Sequence, residues 1–438
     1  MTTTRPTSAE DVARIPLAPH FGVAWKTALA LALAGVGVLV VSLGWLFIAG
    51  IGIWGNAIPF VWGFDLANYV WWIGIANGTS LFAAILVLRR HGLRTSINRF
   101  AEGLALFAVV AAAIFPIIHL GRPELFYWLL PYPPTFQVWP QFRSPLTWDF
   151  WAISTHAIVT SLLWYVGLIP DLATLRDRAQ PLLARKLYGI FALGWRGSAR
   201  QWSWHQRAYR LVAVLVLPLV VVMQSAVAFE FASTIVVDWH ETRQPLHFVI
   251  NGLASGLATV LFAAAGLRFA LRLERFITTE DIDLTARLLL ACSLVVGWAY
   301  AGEISMALLD TERTRIALFA RLWGDYAIFY WGAVALTVLV PQILWLRRWR
   351  TNTGVCVLVS ICVEAGVWLD RMSIVVGGIL RDHMPSMWGW KYFPHANEWG
   401  LLVGSIALFA TLFLLFMRFL PVVSLFESRH EEAESEQP

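Results

Sequence analysis

Charge is what this 438-residue chain has least of: Asp, Glu, Lys and Arg together make up 14%, where a soluble domain carries about 25%. A deficit of that size over the whole length argues against a soluble enzyme with a large core and for an integral membrane protein. Cysteine is almost absent. Cys292, Cys356 and Cys362 all lie inside apolar stretches, with no zinc or iron–sulfur spacing. That argues against a disulfide framework and against a metal site built by this chain alone. The sequence also lacks a P-loop, a Gly-rich dinucleotide fingerprint and a metalloprotease pattern. Its apolar runs show no alternation of period two, which excludes a β-barrel. Acidic residues are outnumbered, leaving a net charge of +5. The Lys and Arg sit in short runs between apolar stretches, where topology and lipid headgroups account for them without nucleic acid.

What is abundant is apolar length. Hydrophobic residues make up 58% of the chain and there are 24 tryptophans, a residue that collects at membrane interfaces. Runs of about 20 residues, enough to cross a bilayer, recur at 22–50, 67–88, 103–120, 149–170, 209–237, 248–267, 286–309, 325–346, 354–376 and 398–420. The expected fold is therefore an all-α integral membrane protein of about ten transmembrane helices. The first run is too long for a signal-peptide core and no small-residue cleavage site follows it, so it reads as a retained helix. With ten spans both termini share a side. That side holds 24 of the 33 Lys and Arg and the other holds 9, which places both termini in the cytoplasm.

The segment from His119 to Trp148 and the segment 381–397 are crowded with Pro and aromatics. They read either as a stiff surface for docking a protein on the outer face or as an ordinary interfacial girdle. Segment 178–208 reads as an amphipathic surface helix, with Arg185, Lys186, Arg196 and Arg200 among Leu, Phe and Trp. The tail after Phe426 is acidic and is expected to be disordered. Span four opens Thr147-Trp-Asp-Phe150 and span eight opens Trp323-Gly-Asp-Tyr326, each with a proline near its end, Pro170 and Pro341. This echo divides the chain into two related four-helix units, spans 2–5 and 6–9, with spans 1 and 10 flanking them. The resulting organisation is an N-terminal segment 1–21, a flanking helix 22–50, a first bundle 67–237, a second bundle 248–376, a last flanking helix 398–420 and an acidic tail 421–438.

An ionisable residue inside a span costs a few kcal/mol, so each is a functional candidate by default. Asp149 and His156 are seven apart on one helix face, and His119 and Asp149 bound the same outer loop. Glu230 lies about eight residues in from the end of span five, within reach of that level if spans three to five pack together. The set is an acid–imidazole–acid cluster open to the outside, able to accept protons from a bound substrate. The plainer alternative has Asp149 and Asp325 as helix caps, His119 on a loop carbonyl and Glu230 bonded to a neighbouring helix. Glu303, Glu364, Asp370 and Arg371 form a second trail through spans seven to nine, with Asp325 near it. They read equally as a proton route or as buried ion pairs fixing register. Of ten histidines only His156 lies well inside a span, which argues against intrinsic haem. Any redox role needs a mobile carrier and an outside partner. The rival class is a secondary transporter, which ten spans, a repeat and intramembrane charges also suit. Against it, the charges crowd one face and no span has an obvious Gly/Pro break at mid-depth.

The stretch His119-Leu-Gly-Arg-Pro-Glu124, followed by Phe126-Tyr-Trp128, resembles the signature of polysulfide-reductase-type membrane subunits, the NrfD/PsrC family. Leu130-Pro-Tyr-Pro133, Trp139-Pro-Gln-Phe-Arg-Ser-Pro-Leu146, Trp148-Asp149 and the run from Trp164 to Arg178 are similar to the NrfD-like subunits of bacterial alternative complex III, as are Trp204-His205, Ala228-Phe-Glu-Phe-Ala232 and 381–389. The resemblance covers about 90–425 and is nearest to the C-type, quinol-oxidising subunit. A smaller F-type paralogue without a working quinol site is the alternative. Where this chain has Glu230 the family more often has Asp. The resemblance implies two four-helix bundles plus two flanking helices. It implies a menaquinol or ubiquinol site near the outer surface of the first bundle, lined by His119, Asp149 and Glu230, with Trp148, Phe150 and His156 beside it. It further implies an outer iron–sulfur protein, c-type haem subunits and a second NrfD-like membrane subunit as partners in the bacterial inner membrane. This chain would carry no haem, iron–sulfur cluster or metal of its own.

Overall fold

The computed structural model describes residues 6–18, 21–56, 60, 62–89, 93–119, 121–129, 145–234, 236, 239–240, 243–378 and 391–435. Arg143, Asp238 and the motif stretches 130–133, 139–144 and 381–389 lie outside the described residues. The α-helices are α1 Ala9–Leu17, α2 Val23–Ala49, α3 Phe64–Arg89, α4 Leu93–Ala112, α5 Phe115–Ile118, α6 Pro145–Arg178, α7 Leu182–Phe191, α8 Ala199–Ala232, α9 Gln244–Ala270 and α10 Thr279–Leu309. They continue with α11 Glu312–Trp323, α12 Ala327–Val334, α13 Arg347–Arg350, α14 Thr353–Met372, α15 Ala396–Phe419 and α16 Leu425–Ser435. Among the described residues, ten helical segments are long and apolar enough to cross a membrane. They coincide with the ten runs read from the sequence.

Composition sorts these helices by position. α2 is apolar all round, yet only Ala32, Leu39, Ser42 and Leu46 are buried. Val23, Leu31, Val40, Val41 and Ile48 point outward, as on a helix facing lipid. α3 is the reverse. It carries Asn68, Asn77, Thr79 and Ser80, all buried, because protein surrounds it on every side. α3, α4, α6 and α8 close a four-helix ring, α3 touching α4 and α8, and α6 touching the same two. The second unit repeats the ring: α9 touches α10 and α14, α12 touches α14, and the second half of span eight touches α10. α15 lies over α2 and α4.

The rings meet along α3 and α9, and glycine decides how closely. Gly74 and Gly78 on α3 face Gly252 and Gly256 on α9. A Cβ on Gly78 would overlap the Gly252 carbonyl oxygen, and one on Gly256 would overlap the Gly78 carbonyl carbon. Two Gly-x-x-x-Gly faces thus bring the backbones together, the usual device where lipid offers no hydrophobic drive between helices.

Four details depart from expectation. Span three breaks after Ala112, and α5 restarts at Phe115 with Pro116 in its first turn, where no amide donor is needed. The surface helix covers only about a third of 178–208, as α7 has 10 residues. Leu193, Gly194 and Gly197 adopt positive φ and end it, and Ser198 with Gln201 forms a capping box that starts α8. The acidic tail is helical over Leu425–Ser435, against the expected disorder: Glu432 accepts the Ala9 amide at 2.9 Å and Glu427 pairs with Arg94 at 2.5 Å. Span eight does break at mid-depth, running from α12 through a π turn at Ala335–Leu339 into a 3-10 turn at Val340–Trp345. Pro341 at that junction lacks the amide hydrogen that an α-helical ladder needs. The α1–α16 contact puts both ends of the chain on one face, here the terminal face. The starts of α3, α6, α9 and α15 lie on the far face.

Candidate functional site

Three of the residues singled out in the sequence converge at the far end of the first ring. Asp149 lies in the first turns of α6 and Glu230 lies near the end of α8. Asp149 is buried and Glu230 partly so, and their carboxyl groups are hydrogen-bonded to each other. Such a bond needs a proton on one of the two oxygens, since two carboxylates offer only acceptors. The Tyr69 hydroxyl, from the second turn of α3, donates to Asp149 Oδ1 at 2.6 Å. The edge of the Tyr69 ring meets His119, at 5.8 Å between centroids. His119 follows α5 and is buried. No Arg or Lys among the described residues acts on either carboxyl group. Two polar atoms of the cluster, His119 Nδ1 and Glu230 Oε1, are buried and have no hydrogen-bond partner among the described residues. A buried donor or acceptor left so costs about 1–3 kcal/mol, which suits a site built to bond something else.

Trp148 and Phe150 flank Asp149 and are half-buried, Phe150 edge-on to the outward ring of Trp151 at 5.5 Å. His156 lies about 10 Å further along α6, buried, with Nε2 3.2 Å from Ser80 Oγ. It belongs to the interior of the ring, one level below the carboxyl pair.

Glu364 sits at the seam between the rings. It accepts from Trp71 Nε1 at 2.9 Å, Ser255 Oγ at 2.9 Å and Thr259 Oγ1 at 2.7 Å. Asp370 and Arg371 belong to a different group at the far end of the second ring. Asp370 accepts from Tyr300 at 2.6 Å, faces His247 Nε2 at 3.1 Å and pairs with Arg371 at 3.1 Å. Asn251 bonds His247 at 2.8 Å. The Arg371 guanidinium lies 4.0 Å from the centroid of the Phe248 ring, a cation–π contact inside the core. Glu303 is ion-paired with Arg321 and lines a cavity shared with His247, Tyr300 and Asp370. Asp325 is elsewhere: it is half exposed and pairs with Lys391 at 3.1 Å.

A search for charge does not find Tyr69, Tyr300, Ser80, Ser255 or Thr259, because neutral hydroxyls do not stand out in apolar runs. His247 lies one residue before the apolar run 248–267, and only the helix start at Gln244 brings it inside the span. The signal that was available is the buried Asn and Ser content of α3 and α9, which no lipid-facing helix tolerates.

Comparison with known proteins agrees with this architecture. A family profile described as "Polysulphide reductase, NrfD" matches residues 53–381. A selenate reductase subunit of Mesobacillus selenatarsenatis is 21% identical over 84% of this chain and 88% of its own length. A putative dimethyl sulfoxide reductase membrane subunit of Halobacterium salinarum is 24% identical over 94% and 95%. Protein NrfD of Escherichia coli is 23% identical over 73% and 95%. With its ten membrane-length helices and a profile match over most of its length, the chain belongs to the NrfD family of membrane proteins.

Proposed function

We propose that this chain is the quinol-binding membrane subunit of a multi-subunit oxidoreductase of the alternative complex III type, oxidising menaquinol or ubiquinol at the far face of its first helix ring. The observation that carries the reading is the Tyr69–Asp149–Glu230 set, which among the described residues has no cation beside it and leaves His119 Nδ1 and Glu230 Oε1 unsatisfied. Oxidation of a quinol to a quinone releases two protons and two electrons. The protons need a base within hydrogen-bond reach, and the Asp149–Glu230 pair, which shares one proton, has room for another. In this reading His119 bonds the second hydroxyl, and Trp148 and Phe150 flank the ring.

The electrons leave to a protein outside the chain, an iron–sulfur subunit on the far face, and from there to c-type haem subunits. In this reading a second NrfD-like subunit shares the membrane, the far face is periplasmic, and the termini lie in the cytoplasm of a bacterial inner membrane. The relatives named as subunits of selenate and dimethyl sulfoxide reductases support a subunit role in a redox complex. Proton translocation would run through Glu364 at the seam and through Asp370, Arg371 and Glu303, with Asp325 at the surface end. Neutralising Glu303 and Glu364 then lowers the proton-to-electron ratio and leaves electron flow.

One observation favours the rival transporter reading. Span eight changes from α to π to 3-10 at mid-depth, and transporters bind at such interruptions. Gentle detergent purification of the tagged chain separates the two. Copurifying iron–sulfur and c-type haem proteins that are reduced by added quinol support the oxidoreductase. A lone colourless chain that catalyses solute uptake in liposomes overturns it.

A further inference from the structure

The second ring has a cavity that the proposed quinol site in the first ring does not use. It measures about 360 Å³, within the range of about 300–1,000 Å³ usual for small-molecule sites. Its apolar lining includes Leu246, Trp298, Met306 and Ile374, and its polar lining includes His247, Tyr300 and Asp370 together with Arg243 and the Glu303–Arg321 pair. Trp298 and Met306 are 65% and 57% exposed on the outside of α10, on a span that the bilayer surrounds, so the mouth opens toward lipid. Position repeats as well as chemistry. Tyr69 and His247 lie in the first two turns of the first helix of each ring, and Glu230 and Asp370 lie near the far end of the fourth. Each ring therefore sets a tyrosine, a histidine and a carboxyl group at one level.

We infer that the cavity bounded by α9, α10 and α14 is a second site for a quinone-class molecule, a lipid-soluble ring with carbonyl or hydroxyl oxygens. The apolar walls and lateral mouth select a ligand delivered by the bilayer. The Tyr, His and Asp of the polar lining select a ring that both donates and accepts hydrogen bonds. Asp370 is already tied to Arg371, His247 and Tyr300, so this site holds the ring without supplying a free base. The inference stands on the second ring alone and does not need the first-ring assignment.

The test is photolabelling of the intact complex in nanodiscs with a short-tail azidoquinone, with labelled peptides located by mass spectrometry. Ser305→Trp fills the cavity from its exposed rim without replacing His247, Tyr300 or Asp370. Ala299→Phe serves if that variant does not assemble. The expected result is label within 244–250 or 298–306 that is competed by unlabelled quinone, falls about tenfold in the filled variant and persists in Asp149→Asn. Label confined to first-ring peptides overturns the inference and leaves the proposed function standing. Label in the second ring alone supports the inference and overturns the first-ring assignment. Second-ring label that ignores the filling, or that excess phospholipid displaces as well as quinone does, marks a lipid crevice and overturns the inference. Label in neither ring overturns both.

Discussion

The two helix rings close in the same way and set similar side chains at the same level, yet they treat charge differently. In the second ring the carboxylate has a permanent counter-ion: Asp370 faces Arg371 and His247 and accepts from Tyr300. In the first, Asp149 and Glu230 face each other with, among the described residues, only the Tyr69 hydroxyl for support. Two carboxylates in hydrogen-bond contact, away from water and without a cation, cannot both be ionised. In the proposed function, it is the first-ring pair, without such a counter-ion among the described residues, that takes the quinol proton.

The comparison breaks most visibly if the counter-ion is stranded. Asp370→Asn leaves the Arg371 guanidinium buried without its partner, and loss of one member of a buried pair costs about 3–5 kcal/mol. A sharp fall in the thermal midpoint and in the yield of assembled complex is expected. Wild-type stability would mean that the pair is not the compensating element. In the first ring Tyr69→Phe removes one donor to a carboxyl group, worth about 1.5–3 kcal/mol. Turnover with quinol should fall about tenfold or more while the complex stays intact. Turnover at the wild-type rate would detach Tyr69 from the site.

The seam between the rings gives a smaller effect. Gly78→Ala places a Cβ against the Gly252 carbonyl, and overpacking of this kind costs about 1–3 kcal/mol. A modest drop in thermal midpoint is expected, with quinol turnover little changed. The smallest effect lies outside the membrane. The Thr7 amide, with further bonds from the Thr7 and Ser8 side chains and the Ser8 amide, holds the Asp11 carboxyl below its usual range against the opposing effect of burial. A carboxylate with a depressed value contributes stability above its unfolded value of about 3.9, and that contribution is lost as pH falls through the lower folded value. Protection of the α1 amides against exchange, taken relative to the intrinsic rate at each pH, should fall by a small factor between pH 4 and pH 3; unchanged protection would show that the cap does not hold the helix.

The spans were legible because a run of about 20 apolar residues is seldom anything but a membrane crossing. His119, Asp149 and Glu230 were legible because each stood as an ionisable group in such a run. Tyr69 and Tyr300 were not, since a tyrosine in a span is ordinary until its hydroxyl is seen to meet a carboxyl group. The grouping of Glu303, Glu364 and Asp370 into one trail was only partly legible. Six residues separate Glu364 from Asp370, and that turn of α14 sends one to the seam with α3 and the other into the second ring. The helical tail was hidden because its acidic composition resembles a solvated segment. Its partners, the Ala9 amide and Arg94, are distant in the chain.

The central claim is that the uncompensated carboxyl pair takes a proton from quinol. The most direct measurement is quinol oxidation by the purified complex carrying Asp149→Asn, with subunit content verified in the same preparation. Removing a general base slows a reaction by about 10²–10⁴-fold, and a fall of about a hundredfold or more in kcat is predicted. Oxidation at the wild-type rate in an intact complex would contradict the account.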